Sequence, residues 1–333
     1  MKIVVCGRFD YIRFAWQPAI DNKTVFYFSD EDFRALTFWN KCRRRWEQFC
    51  ARLSPSRKAE LEKLDNLRER FDIDQLKRSD EILFVLYETN FLTTDFETLE
   101  FLKNRFPKAR FVLHMTNAIG TIRPRETEEL VKHFDFFDLV YTFNNLDAKE
   151  YGLGFFPDIS GDYDLIEPAD IEPFDVFFAG RAKERLDTIL AFAKRCRALG
   201  LSIRFLIVGA PEDKQEAIEG VTYGEYQPYL EMLATEKRAK AILNILGGVS
   251  SGIILRDEEA IGMNKLLITD NDYIFTSEYY NESKIIPMDR FEEQLDKLQN
   301  SKTQWPSSAK NTDREAFLSR VFNDLKSKQE AKQ

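Results

Sequence analysis

Short, wholly apolar runs punctuate the chain and are separated by longer stretches in which apolar residues recur every three or four positions. In the first half the runs are Ile3-Val4-Val5, Ile82-Leu83-Phe84-Val85-Leu86, Phe111-Val112-Leu113 and Leu139-Val140-Tyr141, each followed by a turn and an amphipathic segment. A second series holds Asp175-Val176-Phe177-Phe178, Phe205-Leu206-Ile207-Val208, Ala241-Ile242-Leu243-Asn244-Ile245 and Leu266-Leu267-Ile268-Thr269. Strands that are apolar on both faces and alternate with helices are the pattern of βαβ units around parallel sheets. The pattern therefore predicts an α/β chain with two such sheets.

Between the two series lies a stretch rich in prolines and acids, 157–173, with Pro157, Pro168 and Pro173 among Asp158, Asp162, Asp164, Glu167, Asp170 and Glu172. It marks the expected linker, giving an N-terminal domain over 1–160 and a C-terminal one over 174–310. Two parts break the rhythm. A helical insertion is expected at about 30–70. A terminal helix is expected within 311–333, with Phe317, Leu318, Val321, Phe322 and Leu325 in one stripe and room to cross back to the first domain.

Length and composition agree with this picture. The chain has 333 residues, 44% hydrophobic and 14% aromatic, enough for two cores. Its net charge of −8 argues against a general nucleic-acid role, because phosphate backbones demand a dominant basic surface. Cys6, Cys42, Cys50 and Cys196 have no CxxC spacing, and only His114 and His133 exist to complete a zinc set. The apolar start Ile3-Val4-Val5 is too short for a signal peptide and no run is long enough to span a bilayer, so a cytoplasmic protein is expected.

One segment departs from the acidic balance. Over 33–58, eight basic residues (Arg34, Lys41, Arg43, Arg44, Arg45, Arg52, Arg57 and Lys58) face the single acid Glu47, while Leu36, Trp39, Cys42, Trp46, Phe49 and Leu53 recur at helical spacing. The commoner meaning of such a stripe is packing against its own domain. The second is contact with an anionic membrane at its inner face, or with a lipid-linked acceptor.

The richest chemistry lies in Ser251-Gly252-Ile253-Ile254-Leu255-Arg256-Asp257-Glu258-Glu259-Ala260 and the following Lys265-Leu266-Leu267-Ile268-Thr269. Small residues before a helix let backbone N–H groups approach an anion. Arg256 supplies a fork for phosphate oxygens, and Glu259, one turn on, can accept two ribose hydroxyls. A second group, Gly180-Arg181-Ala182-Lys183, follows a predicted strand, where doubly wound sheets bind ligands. Alone it reads as a solvated basic loop; with the first group it reads as a diphosphate clamp.

These residues resemble the GT-B glycosyltransferases, in which the C-terminal domain holds a nucleotide-sugar through a Gly-Arg…Lys loop and a Glu-Ala helix. Here the counterparts are Gly180, Arg181, Lys183, Glu259 and Ala260. The 251–271 pattern, and Asp138-Leu139-Val140-Tyr141-Thr142-Phe143-Asn144-Asn145, resemble capsular and lipopolysaccharide enzymes of that type in particular. The likeness runs from about 138 to 288. It implies two Rossmann-like domains facing across a cleft. It implies transfer of a hexose from a nucleotide-diphosphate donor, UDP favoured, to a glycan or lipid-linked glycan, without metal or cofactor. Donor contacts would be Gly180, Arg181, Lys183, Ser251, Gly252, Arg256, Glu259 and Lys265. Many retaining members carry a second glutamate eight residues earlier. Ser251 stands there, so the stereochemical outcome is open.

In the first domain His114 sits at the end of an apolar run, as either a core histidine or a general base on the acceptor. Asn117 and Arg123 follow as acceptor-side candidates. The triplets Asp72-Ile73-Asp74, Asp162-Tyr163-Asp164 and Asp270-Asn271-Asp272 are expected by chance among 56 acidic residues, and no metal is assigned to them. The alternative function is a catalytically inactive partner subunit of the same fold that binds a nucleotide or glycan.

Overall fold

The computed structural model describes residues 1–29, 67, 73–89, 93, 95–119, 124–246, 251–300, 305 and 312–331. The basic segment 33–58, nearly all of the expected insertion and Arg123 lie outside the described residues. By compactness the chain divides into two units, Met1–Thr142 with Val321–Gln333, and Phe143–Arg320. The acid- and proline-rich stretch 157–173 counts with the second unit.

In the first unit β1 (Lys2–Cys6), α1 (Asp10–Asp21), β2 (Val25–Phe28), β3 (Ile82–Tyr87), α2 (Phe96–Arg105), β4 (Arg110–Met115), α3 (Pro124–Lys132) and β5 (Leu139–Thr142) follow in order. Its strands line up as β2-β1-β3-β4-β5, and α4 (Asn145–Tyr151) and the two-residue β6 (Gly154–Phe155) follow within the range of the second unit. Val4 pairs with Phe26 on one side and Phe84 on the other, both in parallel. Every residue of β3 is buried, as a strand covered on both faces requires. The chain goes from β1 outward to β2, then returns to the opposite side of β1 to begin β3. That reversal is a topological switch point, and the loops leaving the carboxyl ends of β1 and β3 flank it.

The second unit repeats the principle with β7 (Phe174–Arg181), α5 (Leu186–Ala198), β8 (Ile203–Val208), β9 (Val221–Gly224), α6 (Tyr229–Glu236), β10 (Ala239–Asn244), α7 (Leu255–Gly262), β11 (Leu266–Thr269), α8 (Asp272–Thr276), β12 (Ile285–Pro287) and α9 (Leu295–Asn300). Its sheet runs β12-β11-β10-β7-β8-β9, so its switch point lies between β7 and β10. Leu186, Ile189, Leu190, Ala193 and Cys196 form the buried face of α5 and pack on Val176, Phe205 and Leu243. Each large aliphatic side chain so buried contributes about 1.5–3 kcal/mol.

The two parallel sheets bear out the expected α/β class, and each of the eight apolar runs forms a strand. The terminal helix is present as α10 (Arg314–Glu330). Of its expected stripe Phe317 and Val321 are fully buried, whereas Phe322 is exposed, so the packed face is narrower than the spacing suggests. No helix of the described residues is long and apolar enough to cross a membrane.

Candidate active site

At the second switch point β7 ends on Gly180 and Arg181. A side chain at Gly180 would put its Cβ 3.1 Å from the Arg185 guanidinium and 3.3 Å from the Phe178 ring, so Arg185 packs closely over this glycine. Arg185 donates from Nε to the Arg181 carbonyl (3.2 Å) and from its guanidinium to the Ile245 carbonyl, just past β10. It thereby ties the two strand ends together across the switch point. Burial lowers its pKa, and the nearby Glu184 carboxylate acts in the opposite direction. Lys183 adopts φ +43°, a left-handed conformation that a non-glycine residue rarely takes.

Arg181 donates to the Tyr226 hydroxyl (2.9 Å) and lies over the same ring, 5.4 Å from its centre. Tyr226, in the loop after β9, is 63% exposed. The hollow beside these residues has a volume of about 230 Å³ and is lined, among the described residues, by Arg181, Lys183, Arg185 and Arg256 and by no carboxylate, while the adjoining hollow over Arg181, Lys183 and Tyr226 also meets Glu225. Cations gathered over strand ends in an acidic protein suit an anionic ligand.

The helix motif behaves differently from its expected role. Helix α7 runs from the carboxyl edge of the sheet back to the opposite edge. Arg256, in its first turn, reaches the hollow with only 16% of its side chain exposed. It pairs with Glu236 (2.9 Å) and Glu259 (2.5 Å) and donates to the Ala179 carbonyl (3.2 Å). Burial opposes its charge, but Glu259 and Glu236 hold its pKa above the usual guanidinium value. Glu259 is fully buried and accepts from the Tyr229 hydroxyl (2.8 Å). Its carboxylate lies within an internal cluster with Arg256 and Tyr229, an enclosure that the expected ribose contact does not account for.

Ser251 and Gly252 likewise serve the fold. A Cβ on Gly252, at φ +136°, would lie 1.9 Å from the Phe143 carbonyl oxygen, and Ser251 accepts from the Asn145 amide (2.9 Å). Neither lines the cationic hollow. Asp257 caps the helix by accepting from the Ile254 amide (3.1 Å), and takes further bonds from Asn244 (2.6 Å) and Asn271 (3.1 Å). Burial pushes its pKa up to about 7. Lys265 precedes β11 and so stands at the amino edge of a parallel sheet, opposite Arg181. Its Nζ donates to the Lys237 carbonyl (2.5 Å), ahead of β10. It cannot share a phosphate with Arg181.

In the first unit His114 is 0% exposed within β4 and meets the Tyr87 ring edge-on at 5.6 Å. A residue closed off in this way is a core histidine, which decides against the general-base expectation. Asn117 is better placed. Its Nδ2 donates to Glu88 Oε1 (2.7 Å), which also accepts from Thr116 Oγ1 (2.9 Å), while Glu88 Oε2 accepts from the Thr116 amide (2.8 Å). Tyr11 donates to Thr116 Oγ1 (3.0 Å). Glu88 is the first residue past β3, at that sheet's switch point. Burial raises its pKa, and these hydrogen bonds oppose the shift.

Sequence reasoning missed Glu88, Arg185 and Tyr226. A strand-end position was the signal for the first, but it gains meaning only when the order of strands is known.

No protein-family model matches the chain, and no curated protein matches it either. Solved structures do. A trehalose-6-phosphate synthase from Burkholderia multivorans superimposes with a TM-score of 0.55 at 11% identity, over 100% of this chain and 99% of that one. An E. coli trehalose-6-phosphate enzyme bound with UDP-2-fluoro glucose gives 0.51 at 12% identity, over 99% and 98%. The catalytic domain of starch synthase IV from Arabidopsis thaliana, bound to ADP and acarbose, gives 0.51 at 10% identity, over 98% and 99%. The fold is that of the GT-B glycosyltransferases.

Proposed function

We propose that the protein is a glycosyltransferase that draws its sugar from a nucleoside diphosphate donor held at the carboxyl edge of the second sheet. The observation that supports this reading is the hollow lined by four cations at the switch point of a GT-B fold. Arg181 and Lys183 are the groups open to a diphosphate, and Tyr226 offers an exposed aromatic face to a base. Fixed cations stabilise the charge that develops on a departing diphosphate, the role a divalent ion fills elsewhere, so metal-independent hexosyl transfer is the finer proposal. UDP is the favoured base, by analogy with the structure bound to UDP-2-fluoro glucose. The acceptor is a glycan or lipid-linked glycan of bacterial surface polysaccharide synthesis, on the strength of the motif resemblance in 138–152 and 251–271.

Calorimetric titration with UDP, GDP, dTDP and ADP tests the donor site. At least one should bind, and the Arg181→Ala/Lys183→Ala double variant should weaken it by roughly 10²-fold, the worth of two charge-assisted contacts. Absence of binding by all four would sink the proposal. The enclosure of Glu259 and the serine at 251 favour one second reading, an inactive partner subunit of this fold. Donor hydrolysis without acceptor separates the two, since an inactive subunit gives none.

A further inference from the structure

Helix α7 serves two hollows of opposite charge. While Arg256 lines the cationic one, Glu258 lines another of about 230 Å³, whose described walls come from 160–164, 258–262 and 312–314 and so lie wholly within the second unit. Those walls carry four carboxyl groups, Asp162, Asp164, Glu258 and Asp313, against the one guanidinium of Arg314. Asp313 Oδ1 accepts from the Ala316 amide (2.8 Å) at the start of α10, and Arg314 Nε lies 3.1 Å from the Glu315 carboxylate.

Local geometry builds this hollow. A Cβ on Gly262 would lie 2.2 Å from the buried Tyr163 ring, so Tyr163 rests on the backbone of the last turn of α7 where no side chain fits. Its chain neighbours Asp162 and Asp164, both exposed, are thereby held at the rim. Glu258 stands one turn before Gly262, on the same face of α7. From the other wall Thr312 Oγ1 donates to Glu258 Oε2 (2.5 Å), and the Ser160 amide donates to the Thr312 carbonyl (2.9 Å). Glu258 is 1% exposed, and its Oε1 has no hydrogen-bond partner among the described residues. Buried polar atoms in folded proteins nearly always have one. Burial holds the Glu258 pKa well above the usual carboxylate range. The Thr312 bond acts against the shift, and the Asp158 and Asp257 carboxylates add to it. An enclosed acid among further acids calls for a positive partner.

The chemistry of the walls narrows that partner. A hard metal ion needs several oxygen ligands converging on one point. Among the described residues no three of Asp, Glu, His and Cys do so. An ammonium group asks less, because its three N–H donors can each find a separate acceptor. The volume lies below the roughly 300–1,000 Å³ of drug-sized sites, which leaves room for one small molecule. Ser160, Thr312 and the rim carboxylates add hydrogen-bonding groups suited to hydroxyls.

We propose that this hollow binds a small hydroxylated ammonium compound, an amino alcohol or a single amino sugar, with its ammonium group on Glu258 and its hydroxyls toward Asp162 and Asp164. The inference does not rest on the donor reading, since the two hollows share no lining residue among those described.

The test titrates the full-length protein by calorimetry with glucosamine and ethanolamine. Glucose and ethylene glycol are the neutral counterparts, and calcium and potassium chloride the inorganic cations. At least one amine should bind, about tenfold or more tighter than its neutral counterpart. Glu258→Gln keeps the shape and removes the charge, and should weaken amine binding by about 10- to 100-fold, the worth of one charge-assisted hydrogen bond. The Asp162→Asn/Asp164→Asn double variant, changed only at exposed positions, should weaken it by about fivefold. No amine binding at millimolar concentration overturns the proposal, and so does equal binding of glucosamine and glucose. Calcium or potassium ions that bind more tightly than both amines overturn it too. Wild-type amine affinity in Glu258→Gln has the same force, and where that variant does not fold, wild-type affinity in the double variant decides against the site. No nucleotide enters these titrations, so failure of the donor reading leaves them readable.

Discussion

The two switch points occupy the same position in two sheets of similar design, yet they present opposite chemistry. The second offers four cations and an exposed tyrosine around a hollow. The first offers one carboxylate, clasped by neutral donors. Topology selects where a ligand sits, because strand ends and their loops diverge there. It does not select which ligand. That choice belongs to two or three loop residues on each sheet.

The sharpest way to break the comparison is Arg256, because it faces both the hollow and the interior. If its charge belongs to the buried triad, Arg256→Ala leaves Glu236 and Glu259 without their cation and should destabilise the fold by about 3–5 kcal/mol, read from the urea midpoint. Arg181→Ala, at an exposed position, should cost less than about 0.5 kcal/mol. An Arg256→Ala protein with unchanged stability and lost UDP affinity would move this residue from scaffold to ligand site. A smaller effect is read by salt. Raising ionic strength from about 50 to about 300 mM should weaken UDP binding several-fold, since the donor contact pairs opposite charges. An unchanged affinity would erase the distinction between the switch points.

Much of this arrangement was legible in the sequence. The central strands announced themselves because burial on both faces demands unbroken apolar runs, as in β3 and β11. β9 and β12, short and at sheet edges, carry no such demand and do not stand out among the apolar runs. Arg181 and Lys183 were found because a basic loop directly after a strand needs no knowledge of neighbours. Lys265 was misjudged for the converse reason. Its nearness to Glu259 along the chain hides the fact that α7 carries the chain across the sheet, so residues a few positions apart stand at opposite edges. Glu259 failed on partnership: nothing in its neighbourhood along the chain shows that Tyr229 and Arg256 enclose it. Glu88 is one acid among 56, and only the return of the chain past β1 gives it a place.

The smallest predicted effect concerns the polar knot at the start of α7. Asp257 joins the start of α7 to the ends of β10 and β11 through Asn244 and Asn271, and burial sets its pKa at about 7 against an ordinary 3.8. Between those values the folded protein holds a proton that the unfolded chain has released. Stability therefore falls as pH rises across this window and is flat above it. Glu236, Glu258 and Glu259, also raised by burial, act with the same sign. The urea midpoint of the wild type should decrease from pH 5.5 to pH 8. In Asp257→Asn the midpoint should start lower, because the amide turns its NH2 either toward the Asn244 donor or toward the Asn271 and Ile254 donors, and its decrease over the same range should be smaller. An identical slope in the two proteins would mean that Asp257 stays ionised throughout, with its three donors outweighing burial. The first sheet supplies a parallel: Glu88 is likewise raised by burial and likewise held by three donors, so Glu88→Gln should also make the slope shallower.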